Sequence, residues 1–522
     1  MTFPVWFSKK FSYLAFFSIF LGSMYLLFLN PVLDIRGFNA NDPAAYINKA
    51  IGLWRGIGYG EQFANTFLPV TGQPPVFSLL LAPVVGIFGV NFVILKLYML
   101  FFSLLLGVTI YPFFKYFLKE KKQAVVATFL MMTSPVIFGL SHRVLADVPM
   151  FVFMVLGLFT LNRYLREPVP IFSSGLFIAS LTASVAYLTK QTALGVFIGG
   201  WFLWLHPDFR NRIVFKKLLA YSIISCIPIL AWHTWCATLP DNLWYWTTPA
   251  TRDYLWKNPF TIKDGYISIL DFITRMRHNI VWGISNNIAM VFFAPFYFTE
   301  GSLFGFFASL PVMLWLSWQW IRSFIKSPSV LEGFVFFSLA LFIPKFMGFA
   351  ARYVAIIWPA VLVYAVRGIA QLPKKFQTYF LSSLCIVSLV TTLVISINQW
   401  KNPYGSETLK DYVAAAQEAK KIFPSDSKCA APLLTHWQIL TGHQCFYGKD
   451  SAVLPYLLST GSAYLVVLSD HAPRDLEHFK DVELQALEAG VRLIKILEQK
   501  QSLFEKVFEN KTFMLMKVKN AN

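Results

Sequence analysis

Two aspartates stand out as groups able to handle a proton. Asp42 opens the run Asn41-Asp42-Pro43-Ala44-Ala45-Tyr46-Ile47-Asn48-Lys49-Ala50, in which Asp42, Tyr46 and Ala50 lie four apart. In a helix that spacing puts them on one face. Asp147 follows Ser141-His142-Arg143 and precedes Pro149. Each has a simpler reading: Asp42 as an N-cap with Pro43 at the first helical position, Asp147 as the cap of the helix it opens. Two carboxylates, each at a helix boundary and each beside an aromatic or basic residue, also make a paired-carboxylate site for general acid–base work. The N-terminal end of a helix dipole would favour the ionised form of either one.

The elements that must hold these residues are membrane-crossing helices. Of 522 residues 56% are hydrophobic and only 14% charged, against a usual charged share near a quarter. Apolar blocks recur at lengths that cross a hydrocarbon core. We place eleven spans, near 11–30, 91–116, 123–140, 148–162, 173–189, 192–205, 218–236, 302–320, 331–346, 353–370 and 378–397. Phe11 to Leu29 is a retained first span rather than a cleaved signal. The inner loops then carry Lys9/Lys10, Lys119/Lys121/Lys122, Arg163/Arg166, Arg210/Arg212/Lys216/Lys217, Arg322/Lys326 and Arg367/Lys374/Lys375. The short outer loops carry only Arg143, Lys190, Lys345 and Arg352. That asymmetry satisfies the positive-inside rule. Two apolar stretches, 76–90 and 281–298, break it if counted alone, so they read as re-entrant or interfacial helices of large outer loops, 31–90 and 237–301.

The net charge of +18 might suggest nucleic acid, but its distribution excludes that reading. Residues 398–522 hold 15 basic and 14 acidic side chains, whereas 1–397 hold 30 and 13. The excess sits in short clusters between apolar blocks, where it sets topology. Acidic residues before position 398 avoid the middle of every span and collect toward the outer side. An ion-coupled transporter would place them near the midplane.

After Trp400 the composition changes. Helical periodicity at 408–421 and strand-like runs at 464–468, 503–508 and 512–518 describe a small α/β domain. The expected division is therefore 1–399, an all-α polytopic membrane domain, and 400–522, a soluble α/β domain. The N-terminus would be cytoplasmic and the C-terminal domain extracytoplasmic. Cys429 and Cys445 could pair there if the compartment is oxidising. His436, His443, Asp470 and His471 read as residues of polar turns. Trp244, Tyr245, Trp246, Tyr254 and Trp256 form an aromatic group that would either hold a sugar or isoprenoid chain or sit in an interfacial belt.

The chain resembles the polyprenyl-phosphate-dependent glycosyltransferases of the GT-C fold, in the group of bacterial aminoarabinose transferases and relatives of protein O-mannosyltransferases. The resemblance rests on an ordered set over residues 1–400: Asp42, Tyr46 and Ala50; Pro74-Pro75; Phe88-Gly89; Lys96; Asp147 and Pro149; Leu188-Thr189-Lys190; Arg352-Tyr353 and Pro359. Gln73 stands where many members have Lys, Lys96 where Arg is usual, and His278 is the nearest match to a His-containing element of the second large loop. The donor sugar and any divalent metal stay open.

The resemblance implies that a hydroxyl of an extracytoplasmic glycan, lipid or protein attacks the anomeric carbon of a polyprenyl-phosphate sugar. Asp42 would be the general base, with Asp147 as its partner. The leaving lipid phosphate needs cations, for which Lys96, Arg143, Lys190, Lys345 and above all Arg352 are the candidates, with Tyr46 and Tyr353 completing the substrate site. Snorkelling to the interface would equally explain such basic residues. The implied setting is a bacterial inner membrane and its lipopolysaccharide or protein glycosylation. Two other readings remain: a flippase or transporter of lipid-linked sugars, and a GT-C protein that binds carrier lipid without catalysis.

Overall fold

The computed structural model describes residues 19–33, 41–64, 66–69, 73–239, 254–255, 257, 265–282, 303–345, 351–403, 407–446, 453, 455, 457, 459, 463–469, 493–495, 497–498 and 501–519. Apolar runs in the first 400 residues form helices whose starts are set by polar caps. Asn91 Oδ1 accepts from the amides of Val93 and Ile94 at the start of one, and Asn211 does the same for Ile213 and Val214. In chain order the helices are α1 (19–27), α2 (Asn41–Trp54), α3 (Val76–Phe88), α4 (Phe92–Leu118), α5 (Lys121–Met132), α6 (Pro135–Ser141), α7 (Asp147–Arg166), α8 (Ser174–Thr189), α9 (Leu194–Trp204) and α10 (Arg212–Ala237). There follow α11 (Ile269–Trp282), α12 (Leu303–Lys326), α13 (Val330–Phe342), α14 (Ala351–Ile369) and α15 (Lys374–Lys401).

Among the described residues, α4, α7, α10, α14 and α15 are long and apolar enough to cross a membrane. The expected span at 123–140 is the pair α5 and α6, bent by 60° at their junction. Expected spans at 173–189, 192–205 and 331–346 correspond to shorter helices of 16, 11 and 13 residues. The stretch at 76–90 is the 13-residue α3, packed on α2. Of the second such stretch, 281–298, Val281 and Trp282 end α11 and the rest lies outside the described residues.

The outward surface is apolar. Phe376, Tyr379, Phe380, Ile386, Val390 and Val394 of α15 are exposed, as are Ile223, Ile227 and Leu230 of α10. A surface of this kind needs a hydrocarbon surround, and the chain is an integral membrane protein. Inside, small and hydroxyl residues let helices approach closely. Ser184 of α8 donates to the Ser225 carbonyl of α10 at 2.9 Å. A Cβ on Gly333 of α13 would lie 2.2 Å from the Gly199 carbonyl oxygen of α9. Gly333→Val is therefore expected to destabilise the bundle by about 1–3 kcal/mol through overpacking. Thermal unfolding of the detergent-solubilised protein checks this, and an unchanged midpoint would contradict the close α9–α13 approach.

One end of the bundle is closed by a buried carboxylate. Glu332 accepts from Ser329 in a capping box at the start of α13, from Ser323 of α12 at 2.7 Å and from Tyr364 of α14 at 3.2 Å. Arg367 joins Ser323 at 2.9 Å. With its partners satisfied, this group ties three helices together and has no open side for a substrate.

Beyond α15 the chain forms α16 (Glu407–Ile422), α17 (Leu434–Thr441) and a five-stranded sheet. Its strands are β3 (Lys428–Ala430), β4 (Gln444–Cys445), β5 (Ala463–Leu468), β6 (Phe504–Glu509) and β7 (Phe513–Val518), while β1 (Gly60–Gln62) and β2 (Phe67–Pro69) make a hairpin in the first loop. The sheet order is β4-β3-β5-β7-β6, with β3 parallel to β4 and β5 and the other pairs antiparallel. Leu409, Tyr412, Val413, Ala416 and Ala419 form the buried face of α16. Cys429 and Cys445 face each other across β3 and β4 and are joined in a disulfide. His436 and His443 are not in polar turns: both are buried, and His443 Nδ1 pairs with the Tyr464 hydroxyl at 2.7 Å. The hydrogen-bonding apolar core around Trp437 and Tyr464 draws them in. Asp470 and His471 lie outside the described residues.

Candidate active site

At the end of the bundle opposite Glu332, four elements converge: the first turn of α2, the start of α7, the end of α8 and the start of α14. Asp42 lies inside the first turn of α2, and α7 begins at Asp147 with Ala146 in the cap position. The capping readings of both aspartates are thus displaced by side-chain pairs that tertiary packing supplies.

The Asp42 carboxylate is held from two sides. Arg352 Nη1 donates to Oδ2 at 3.0 Å, and Gln73 Nε2 donates to Oδ1 at 2.9 Å. Arg352 Nη2 donates to the Tyr353 hydroxyl at 3.2 Å, while Arg352 Nε is buried and has no hydrogen-bond partner among the described residues. Lys190, just past α8, donates to Asp147 Oδ1. The Asp147 side chain is only 2% exposed, so this pair supplies the counter-charge that burial demands. Arg352 lies within electrostatic reach of both aspartates. The ring of Tyr353 gathers the cations: Lys345 Nζ stands 4.4 Å from its centroid, the Arg352 guanidinium 5.0 Å and Lys190 Nζ 5.6 Å. Such stacking favours a cation held out of water.

Tyr46 lies on the same face of α2 as Asp42 and is packed edge-on against Phe77 of α3 at 4.9 Å. Burial, and after it the nearby Asp42 and Asp147 carboxylates, push its phenol well above the usual range. It remains a neutral donor. Lys49, one turn further along α2, is 1% exposed. Its Nζ donates to Gln73 Oε1 and stands 3.9 Å from Glu61 Oε1. Burial lowers its pKa, opposed by Glu61 and Asp42.

Seven of the expected site residues thus come together: Asp42, Tyr46, Asp147, Lys190, Lys345, Arg352 and Tyr353. Lys96 and Arg143 do not join them. They line a separate cleft with Phe28, Asn30, His142, Ser396, Gln399 and Trp400, between α1, α4 and α15. Lys96 lies on the side of α4 that meets α1, where the Tyr25 hydroxyl donates to its carbonyl at 2.7 Å, and the Tyr25 ring stacks on His142 at 4.0 Å. His278 is on α11. The Tyr254 hydroxyl bonds the Leu341 carbonyl at 2.9 Å, and the other four aromatic residues of its group lie outside the described residues. Among the described residues no three His, Cys, Asp or Glu side chains gather as a metal site.

Lys49, Glu61 and the contribution of Gln73 were not singled out from the sequence as site residues. Lys49 falls at the seventh residue after Asp42, on the same helix face, and a lysine on a face otherwise carrying Tyr46 and Ala50 was the available signal.

Residues 72–232 match the model of the dolichyl-phosphate-mannose-protein mannosyltransferase family. No curated protein sequence matches the chain. The fold is that of ArnT from Cupriavidus metallidurans: its structure bound to undecaprenyl phosphate gives a TM-score of 0.64 at 10% identity, covering 98% of each chain. The apo structure of the same protein also gives 0.64, at 11% identity and with the same coverage.

Proposed function

We propose that this chain, an integral membrane protein with the GT-C fold of polyprenyl-phosphate-dependent glycosyltransferases, moves a sugar from a polyprenyl-phosphate donor to a hydroxyl of an extracytoplasmic acceptor. The observation that carries the reading is Arg352. One of its nitrogens is on Asp42, a second on Tyr353, and Nε is buried without a hydrogen-bond partner among the described residues. A guanidinium fork suits a phosphate better than any other side chain does.

On this reading the lipid phosphate of the donor takes Arg352, and Lys190 and Lys345 lend further positive charge. As Arg352 turns to the phosphate, Asp42 Oδ2 is freed while Gln73 still holds Oδ1. The acceptor oxygen attacks the anomeric carbon and its proton passes to Asp42. The bond from that carbon to the phosphate oxygen breaks, and the electron pair leaves on the phosphate, where the cations stabilise it. Asp147 keeps Lys190 in place and ionised.

The distribution of basic loops supports the Asp42 end as the outer face and the reading of eleven spans; the change of composition after Trp400 supports the division at residue 399, and the family resemblance implies a bacterial inner membrane. ArnT's binding of undecaprenyl phosphate supports a carrier of that class here. The test supplies membranes containing the protein with radiolabelled polyprenyl-phosphate sugars and endogenous acceptors. Label is expected to move to an acceptor fraction. Donor that crosses the membrane without transfer would favour a flippase, and binding without transfer a non-catalytic member of the fold.

A further inference from the structure

Buried lysines need an explanation, since their charge is costly to bring out of water. Lys49 is buried on α2 within reach of the site, yet it does not touch Asp42. Its Nζ bonds Gln73 Oε1, and the same amide's Nε2 bonds Asp42 Oδ1. Only one orientation of Gln73 serves both neighbours. An ammonium has donors only and an ionised carboxylate acceptors only. The amide oxygen must therefore face Lys49 and the amide nitrogen Asp42. Turned over, Gln73 would present its oxygen to the carboxylate and its N–H groups to the ammonium.

The lysine is fixed in turn. Glu61 of β1 stands 3.9 Å from Nζ, and the rings of Tyr46 and Tyr59 flank it at 5.8 and 5.9 Å. The Tyr59 hydroxyl donates to the carbonyls of Gln73 and Pro74, which holds the backbone that carries the amide. Glu61 Oε2 accepts from Thr435 of α17 at 3.0 Å. A continuous polar path runs from the C-terminal segment through Glu61, Lys49 and Gln73 to Asp42.

We propose that Lys49 is a positioning residue for sugar transfer: by polarising and orienting Gln73 it fixes the aim of the Asp42 carboxylate while Arg352 is engaged with the donor phosphate. The inference rests on the reading of Asp42 as the base. Without Lys49 the amide turns freely, and Asp42 loses its one anchor other than Arg352. The charged and titratable groups facing Asp42 are Arg352 from α14 and, from α2 itself, Lys49 and Tyr46, with Asp147 of α7 beyond them. Removing Lys49 takes positive charge from this set and leaves the Gln73 amide with no partner that dictates its orientation.

The experiment uses the full-length protein in membranes, with the radiolabelled polyprenyl-phosphate sugar that wild type accepts. Lys49→Met, Gln73→Leu and the two combined are compared. Each single variant is expected to lower kcat by about 10- to 100-fold, the scale of a small misplacement of a reacting group. Donor KM should stay within about two-fold, since neither residue contacts phosphate. The double variant should be no worse than either single one, because both remove the same link. The exchange Lys49→Gln with Gln73→Lys restores a donor beside Asp42 and should recover part of the rate. Gln73→Leu leaves the Lys49–Glu61 pair intact, so it reports on the link even where Lys49→Met lowers protein yield. Losses that multiply in the double variant, or a donor KM that rises as far as kcat falls, would overturn the proposal. Asp42→Asn in the same preparation separates the two ideas: if it is active, the base assignment fails; if it is dead and Lys49→Met behaves as wild type, only the positioning role fails.

Discussion

Asp42→Asn is expected to abolish most of the transfer while the protein still inserts and folds. Losing a placed base costs about 10²–10⁴-fold, and the whole loss should appear in kcat. The amide is nearly isosteric with the carboxylate. It keeps one acceptor for Arg352 Nη1, so the start of α14 stays docked on α2. Asp147→Asn makes a useful contrast, since it would leave Lys190 buried without its counter-charge, a far more destabilising change. Initial rates at saturating donor, with titration of undecaprenyl phosphate as a control for binding, check the prediction. Transfer by Asp42→Asn within about ten-fold of wild type would remove Asp42 from the role of base.

Arg352→Ala is expected to act on the donor. Truncating one member of a desolvated charge pair costs about 2–5 kcal/mol, so donor KM should rise by roughly 10²-fold or more, each decade being about 1.4 kcal/mol. Arg352→Lys should recover little of this. An ammonium cannot stay on Tyr353 and at the same time offer a phosphate two forked N–H groups. Titration of undecaprenyl phosphate on the two variants distinguishes this from an effect on the base alone. Unaltered binding with depressed kcat would mean that Arg352 serves Asp42 and not the phosphate.

The legible parts of this site are those that local rules expose. Asp42 and Tyr46 share a helix face by spacing, and Lys190 and Arg352 are conspicuous as charges at the ends of apolar runs. The sequence reading drew in Arg143 because loop charge tells which face a residue is on and nothing about its place around the bundle, and Lys96 because it matched the family pattern. Gln73 looked like a departure from a pattern; its pairing with Lys49 and Asp42 exists only in three dimensions. The caps assigned to the aspartates failed for the same reason, since Lys190 and Arg352 compete for those carboxylates from 43 and 310 residues away. In the C-terminal segment, β5, β6 and β7 were visible as apolar runs, but β3 and β4, of three and two residues, are too short to show a period. Their partners and the Cys429–Cys445 bond define them.

The contacts between the first loop and the C-terminal segment bear on when the site exists. Thr435 bonds Glu61, Gln438 Nε2 bonds the Gln62 carbonyl at 2.7 Å, and the Ala64 amide bonds the Cys445 carbonyl at 2.9 Å. These partners are separated by more than 370 residues. A chain is made from its N-terminus and its early parts fold first, so the loop bearing Asp42 emerges long before the residues that brace it. Ribosome-bound and truncated chains therefore carry the aspartates and the lysine without their final support. On the proposed function, chains cut before α17 are expected to insert in the membrane and yet transfer no sugar, and transfer by such a chain would show these contacts to be dispensable.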